Sequence, residues 1–310
     1  MIVVRSSDFF LTSKPSVITV GTFDGVHLGH QKIFYDVLKK SNEINGISVF
    51  ITFLQHPKEI LLEKENIFLL NTLEEKIEEF RKNLPDIVLL LNFDLEFSKL
   101  SAYDFYKKYI LSNFNVKNVF EGADHMFGNN RESGIEDLKK IGKQNGFDVN
   151  LVSTVSIDDI KISSSKIRNF ILNGEIETAN KCLGKNYRLT GIVVKGDGRG
   201  KGNGFPTTNL KINSDKKILP KNGVYFVIVL IDEKKYYGMA NIGTRPTFYN
   251  NNNLPLLEVH IFDLENDLYE KKISIEFLKY IREEKKFLNS ENLKNQLFLD
   301  KEKCFSFINN

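Results

Sequence analysis

The sequence predicts an α/β plus β chain: an N-terminal Rossmann-like, doubly wound domain, then a C-terminal antiparallel β-barrel with a terminal helix. Three observations lead to it. From Ser16 to about Thr154, short apolar runs alternate with amphipathic stretches, the pattern of parallel strands joined by helices. Beyond Tyr187, runs of period two are separated by turn residues, the pattern of an antiparallel barrel. After the first apolar run, a glycine-bounded turn holds two of the chain's five histidines, at the edge where an open α/β sheet takes its ligands. The predicted domains are residues 1–184 and 185–310.

Strands of the first domain are expected at residues 17–20, 47–53, 87–91, 116–120 and 149–155, each a short apolar run. Residues 31–38 take up helical spacing directly after the glycine-bounded turn. Thr72-Leu73-Glu74-Glu75 has the form of a capping box, and Leu73, Ile77 and Phe80 then fall on one helical face. Ser101 opens another helix, whose Ala102, Phe105, Tyr106, Tyr109 and Ile110 form an apolar stripe read as core. Helices near 164–172 and 176–183 lead to Gly184, where the pattern changes. Barrel strands are expected at 187–194, 224–231, 236–242, 256–262 and 273–278, with Asp232-Glu233 as a hairpin connector. Residues 282–287 and 290–307 read as helical, with Leu293, Leu297 and Phe298 covering the barrel.

Composition excludes several classes. At 310 residues, with 41% hydrophobic and 27% charged residues, the chain can bury two ordinary cores, and no apolar run approaches the ~20 residues that span a bilayer. The N-terminus has no basic segment followed by an apolar core, so a cytoplasmic protein with no membrane partner is expected. A net charge of +3 is too small for a general nucleic-acid footprint, so no nucleic-acid partner is expected and any anion must be held locally. Cys182 and Cys304 have no paired spacing and read as structural.

Several stretches carry chemistry. In the opening turn, Gly21, Phe23, Asp24 and Gly25 precede a helix start, where free N–H groups and the helix dipole favour a phosphate, and His27 and His30 can share one face toward it. His56-Pro57 sits where the second strand ends, as a ligand neighbour or as a simple turn cap. Residues 121–131 form a glycine-rich loop with Asp124 and Arg131. Ser163, Ser164 and Ser165 open a helix carrying Arg168, and hydroxyls, helix-start N–H groups and a guanidinium can share a phosphate. Gly196, Arg199 and Gly204 belong to a loop too glycine-rich to pack a core, whose Arg199 and Lys201, with Thr207 and Asn209 just after Pro206, supply charge and oxygen ligands suited to nucleotide phosphates and magnesium. Alternation puts Glu258 and His260 on one strand face, where a glutamate turned to a cleft can act as general base.

The string Gly21-Thr22-Phe23-Asp24-Gly25-Val26-His27-Leu28-Gly29-His30-Gln31 resembles the His-x-Gly-His signature of nucleotidylyltransferases, and specifically the bacterial bifunctional riboflavin kinase/FAD synthetase family. Gly122, Asp124, Phe127, Gly128 and Arg131 are similar to the family's Gly-x-Asp-Phe-x-Phe-Gly-x-x-Arg segment, with His125 and Met126 departing from it. Ser163-Ser164-Ser165-Lys166-Ile167-Arg168 resembles the family's Ser-Ser-Thr-x-x-Arg motif, and Gly204-Phe205-Pro206-Thr207-Thr208-Asn209 its Gly-Phe-Pro-Thr-Ala-Asn motif. Residues 223–225, 240–248, 258–263 and 267–269 follow the kinase pattern in order, so the resemblance spans nearly the whole chain.

That resemblance implies two reactions with ATP, riboflavin and FMN as substrates and Mg2+ as the metal. Glu258 would be the kinase base, with Thr207 and Asn209 on the metal and Gly196, Arg199, Gly204 and Pro206 around the nucleotide. For adenylyl transfer, His27, His30 and Arg168 would be catalytic, and Gly21, Phe23, Asp24, Gly25, Asp124, Ser163, Ser164 and Ser165 would hold nucleotide or phosphate. His56, Arg131 and Arg282 would lie near flavin, and the chain would act as a monomer or weak homo-oligomer. The alternative is a riboflavin kinase alone, with a degenerate adenylyltransferase domain.

Overall fold

The computed structural model describes residues 1–5, 12–61, 68–122, 134–195, 204–212, 214–244, 255–264 and 268–308. Asp124, His125, Met126, Arg131, Gly196 and Arg199 therefore lie outside the described residues. Two compact units form, Met1–Ser164 and Ser165–Asn310.

The first unit is a six-stranded parallel sheet of β1 (Ile2–Arg5), β2 (Thr12–Val20), β3 (Ile47–Phe53), β4 (Ile87–Leu91), β5 (Phe114–Gly122) and β6 (Asp148–Val152), in the order β1-β4-β3-β2-β5-β6. From β2 the chain first adds β3 and β4 on one side, then returns to place β5 on the other. The order reverses beside β2, so a crevice opens at the carboxyl ends of β2 and β5. The expected strands are all present. The edge strand β1 was not expected, its four residues being too few to show a period.

Helices cover both faces. On one side α1 (Leu28–Glu43) and α3 (Leu73–Asn83) bury Phe34, Val37 and Phe80 against Val17, Phe50, Val88 and Leu90. Phe34 stacks on Phe50 with centroids 4.3 Å apart, and Phe80 meets both edge-on. On the other side lie α5 (Ala102–Phe105), a π-helical turn at Tyr106–Leu111 and α6 (Ile135–Asn145), packed on Ile18, Val49, Leu89 and Val119. The short α2 (Pro57–Leu61) and α4 (Leu95–Ser98) bury no residue. The capping box at Thr72 forms as expected, with Thr72 Oγ1 accepting from Glu75 N–H at 3.2 Å and Glu75 from Thr72 N–H at 3.0 Å. Ser101 caps α5 by accepting from Asp104 N–H.

One buried carboxyl interrupts this apolar interior. Glu121, near the end of β5, is 1% exposed and accepts the Val20 N–H at 3.1 Å where β2 ends. Burial pushes its carboxyl well above the ordinary carboxylate range, although the Val20 N–H favours the ionised form. The folded state thus keeps a proton that the unfolded chain releases near 4.5, and stability falls as pH rises from there through the folded value. Glu121→Gln, which keeps the acceptor without the titration, is expected to be the more stable variant by an amount that grows between pH 5 and pH 8. Urea midpoints at the two pH values check it.

A small hairpin, β7 (Ser156–Ile157) with β8 (Ile160–Lys161), precedes α7 (Ser164–Asn173) and α8 (Ile176–Leu183). Both helices bond to the barrel: Lys221 N–H donates to Ile171 O, and Asn180 bridges the Phe277 carbonyl at 2.8 Å and the Tyr187 N–H at 2.7 Å. Gly184, the expected domain boundary, caps α8 in a left-handed conformation with φ 69°.

The second unit is a closed antiparallel barrel of β9 (Tyr187–Val194), β10 (Thr208–Ile212), β11 (Gly223–Ile231), β12 (Lys234–Thr244), β13 (Pro255–Ile261) and β14 (Lys272–Arg282), ordered β10-β13-β12-β11-β14-β9. Leu189, Tyr225, Val227, Val259, Ile275 and Phe277 alternate with outward residues and are fully or almost fully buried. Asp232 and Glu233 both take positive φ, 47° and 66°, and join β11 to β12 as the expected hairpin. The terminal helix α9 (Ser290–Ser306) covers an outer apolar strip that includes Val224, Phe226, Met239 and Phe262, with Cys304 and Leu297 packed into it.

The expected helix over 282–287 is not formed: Arg282 ends β14, and residues 283–289 run to the Asn289 cap of α9 without helix. The reason is pairing, because Arg282 opposes Val224 of β11. Its guanidinium also grips Asp300 of α9, with Nε at 2.9 Å and Nη2 at 2.7 Å from the carboxylate, their side chains only 14% and 3% exposed. Asp300→Ala strands a half-buried guanidinium and is expected to destabilise the barrel unit by about 3 kcal/mol or more in urea unfolding. Restoring bulk with Arg282→Met and Asp300→Leu together is expected to recover most of it.

Candidate active sites

The turn after β2 adopts a conformation few sequences tolerate. Phe23 and Val26 have positive φ, 48° and 43°, and the Val26 N–H closes the turn on Phe23 O at 3.2 Å. Burial of both side chains in the core between the sheet and α1 compensates that strain. The Phe23 ring lies edge-on to His30, Phe34 and Phe80, and a Cβ at Gly21 would sit 2.7 Å from it, so only glycine fits. Gly25, at φ 86°, completes the reversal.

His27 is the N-cap of α1: its Nδ1 accepts the His30 N–H at 3.4 Å. The neutral His27 ring therefore carries its proton on Nε2. The His27 and His30 rings stack with centroids 3.6 Å apart and 16° between planes, and a Cβ at Gly29 would press to 3.2 Å on the His27 ring. Two imidazoles thus stand side by side at a helix N-terminus whose first N–H groups have no intrahelical acceptor, an arrangement suited to an anion.

Around this turn the structure adds a polar framework. Asp24, 2% exposed, accepts the N–H groups of Leu70 and Asn71 at 3.0 Å each, which ties the turn to the segment before α3. Its backbone carbonyl accepts the Ser164 hydroxyl at 2.9 Å. Thr52, at the end of β3, donates to Thr22 O at 3.3 Å and lies 3.4 Å from the Lys76 ammonium. Lys76 is 8% exposed; burial brings its ammonium down to about 8, with Asp24 and then Glu59 opposing the fall. The sequence analysis gave Lys76 no role. A signal was there: it falls between Leu73 and Phe80 on the buried stripe of α3.

In the barrel unit, β13 places Glu258 directly opposite Asn209 of β10 on one side and Asn241 of β12 on the other. Leu257 and Val259 point inward and are buried, so this polar row lies on the outer face of the barrel. Glu258 is half-buried and Asn209 buried, while Thr207 is exposed just before β10. His260 follows on the same face, and its Nδ1 lies 2.8 Å from Pro206 O. The sequence reading gave Asn241 no role, because the register of β12 against β13, which sets it opposite Glu258, cannot be read from alternation alone; β10, which brings Asn209 to the other side, was not expected as a strand.

The remaining expected residues are found as follows. His56 caps α2, with Nδ1 accepting the Lys58 N–H at 3.2 Å and its own N–H donating to Glu59 at 3.1 Å. Ser163 lies just before α7, and Ser165 and Arg168 lie within it. Gly204 holds a positive φ of 77° with open space around it, followed by the buried Phe205 and exposed Pro206. Arg282 is engaged with Asp300 as described.

Among the described residues no three His, Cys, Asp or Glu side chains gather to hold a metal ion. Thr207, Asn209 and Glu258 are oxygen donors in one neighbourhood, and a hard divalent cation carried in by nucleotide phosphates fits such a set better than a thiolate or imidazole metal would. No helix among the described residues is long and apolar enough to cross a membrane.

Two family models match the chain, FAD synthetase over residues 11–166 and riboflavin kinase over residues 183–308. The bifunctional riboflavin kinase/FMN adenylyltransferase of Buchnera aphidicola subsp. Schizaphis graminum is 38% identical over 296 residues, 95% of this chain and 94% of the relative. That of Bacillus subtilis is 36% identical over 300 residues, 95% and 93% of the two chains. A crystal structure described as a macrolide-efflux protein from Streptococcus pneumoniae superposes with a TM-score of 0.89 at 32% identity, over 97% of this chain and 98% of that one.

Proposed function

The chain belongs to the bifunctional riboflavin kinase/FMN adenylyltransferase family, and from that premise we propose how its residues carry the two reactions. The enzyme phosphorylates riboflavin with ATP to give FMN, then transfers an adenylyl group from ATP to FMN, giving FAD and pyrophosphate. A match to the FAD synthetase model over residues 11–166 favours this over a kinase with a degenerate first domain.

In the kinase reaction, Glu258 accepts the proton of the ribityl 5′-hydroxyl as its oxygen attacks the γ-phosphorus of ATP and ADP departs. The observation that carries this reading is the outer-face row of Asn209, Glu258 and Asn241, one carboxylate between two amides. Thr207 and Asn209 would hold Mg2+, which supplies charge neutralisation at the phosphates. Gly204 and Pro206 would lie around the nucleotide, and Gly196 and Arg199, outside the described residues, are assigned to it on the family resemblance.

In the adenylyl transfer, an FMN phosphate oxygen attacks the α-phosphorus of ATP and pyrophosphate leaves. His27 and His30 donate to the phosphate oxygens as charge develops there, with the N–H groups at the start of α1 beside them. Gly21, Phe23, Asp24 and Gly25 keep that turn in shape, and Ser164 buttresses it through Asp24 O. Ser163, Ser165 and Arg168 are assigned to phosphate on the family resemblance, as are Asp124 for nucleotide and His56, Arg131 and Arg282 for flavin. No covalent intermediate is needed, since positioning and charge stabilisation carry both transfers. A cytoplasmic location fits the bacterial relatives.

The test is product analysis with riboflavin, ATP and Mg2+, and separately with FMN in place of riboflavin. FMN followed by FAD is expected; FMN without FAD, even from supplied FMN, would leave a kinase alone.

A further inference from the structure

We propose that His260 is a positioning residue for the kinase reaction: its buried imidazole holds the backbone at Pro206 and so sets Thr207 and Asn209 against Glu258. The inference rests on the kinase reading of the barrel's outer row, and extends it to a side chain that neither resemblance nor sequence pattern gave a role.

The reason lies in where the ladder stops. Strand β10 pairs with β13 from Thr208 opposite Val259 to Leu210 opposite Leu257, with Asn209 opposite Glu258. Continued one step, Thr207 would face His260, but β10 begins only at Thr208 and Pro206 has no N–H to extend the sheet. The segment carrying Thr207 therefore leaves the sheet just before the row. A side chain takes over there: His260 Nδ1 lies 2.8 Å from the Pro206 carbonyl, and since a carbonyl only accepts, Nδ1 must carry the proton and donate. The neutral tautomer is thereby chosen.

The ring is fixed on its other sides. His260 is 7% exposed, edge-on to Phe205 at 5.1 Å and to Phe262 at 5.7 Å, and Phe205 in turn meets Phe298 of α9 at 4.9 Å. Burial lowers its pKa, and Lys301 of α9 acts in the same direction, against the Pro206 carbonyl and Asp263 after β13. Met239 stands opposite on β12 and brings no charge, while Glu258 lies two residues back on the same face of β13. A neutral, singly oriented donor is what a rigid backbone anchor needs. Partners that fix the residues around a metal typically change its binding or the activity by about 10- to 100-fold when removed.

The experiment compares the full-length wild type with His260→Phe, which keeps the apolar packing and loses the donor, and His260→Gln, which keeps an N–H donor. Riboflavin phosphorylation is measured across Mg2+ and ATP concentrations, and adenylyl transfer to supplied FMN is measured on the same preparations as the internal control. For His260→Phe the proposal expects kcat to fall about tenfold or more and the Mg2+ midpoint to rise, with adenylyl transfer within about twofold of wild type and riboflavin KM little changed. His260→Gln is expected to recover part of both kinase effects. If His260→Phe leaves kcat and the Mg2+ midpoint within about twofold, or if His260→Gln is as impaired as His260→Phe with an intact barrel, His260 is only a packing residue and the proposal is wrong. If the barrel of His260→Phe melts, His260→Leu, which is smaller and also lacks the donor, takes its place: a raised Mg2+ midpoint in His260→Leu that His260→Gln recovers supports the proposal, and wild-type values in His260→Leu overturn it. The underlying reading fails separately, if Glu258→Ala still phosphorylates riboflavin at the wild-type rate.

Discussion

Glu258→Ala is expected to all but stop FMN formation from riboflavin and to leave FAD formation from supplied FMN at the wild-type rate. The expected loss is about 10²- to 10⁴-fold in kcat, the usual contribution of a positioned general base. The substitution acts through chemistry more than folding, because Glu258 points out of the barrel while its neighbours Leu257 and Val259 supply the buried packing. Glu258→Gln sharpens the result: it keeps size and one oxygen but cannot take the proton, so it should be nearly as inactive as alanine. Activity close to wild type in Glu258→Gln would reduce the residue to a positioning role. Loss of both activities in Glu258→Ala would contradict separate stations for the two reactions.

The second large effect is the mirror of the first. His27→Ala is expected to lower FAD formation from FMN and ATP by about 10²- to 10³-fold, the loss typical of removing one donor aimed at developing charge, while riboflavin phosphorylation continues. His30→Ala should behave alike. Because the two rings stack 3.6 Å apart and His27 also caps the helix bearing His30, the double variant should lose far less than the product of the two single losses. Steady-state rates of pyrophosphate release measure all three, and full multiplicativity would show that the two rings act independently. His27→Asn separates the roles: it can still cap α1, so stability should hold while adenylyl transfer falls.

Local signals in the sequence were read well where the physics is local. The capping box at Thr72, the cap at Ser101 and the Asp232-Glu233 connector each depend on residues within a few positions of one another. The His27 and His30 pair was legible for the same reason, three residues apart at a strand-to-helix turn. Glu258 was legible by alternation along one strand, and by resemblance.

Other features could not be read this way. Glu121 looks like any outward residue on a strand, yet it is buried against Val20, 101 positions away in sequence. Arg282 looked like part of a helix because charges run on after it; its pairing with Val224 across the barrel and its grip on Asp300 made it the end of a strand. Lys76 was given no role from the sequence and His260 none beyond a strand face shared with Glu258; burial and a partner give each a definite environment.

By itself, then, the sequence determined the two-part architecture, most of the elements, and the turn that carries His27 and His30, since periodicity, caps and turn residues act over a few positions of chain; β1, β10 and the strand end at Arg282 escaped it. Only the tertiary structure decided which strands stand side by side. From that adjacency came the row of Asn209, Glu258 and Asn241 and the contact of His260 with Pro206, 54 residues away, while the packing of α3 on the sheet brought the Lys76 ammonium to Thr52. The physical reason is that burial and cross-strand opposition are properties of neighbours in space, made by closing the barrel in the second unit and by packing helices on the sheet in the first.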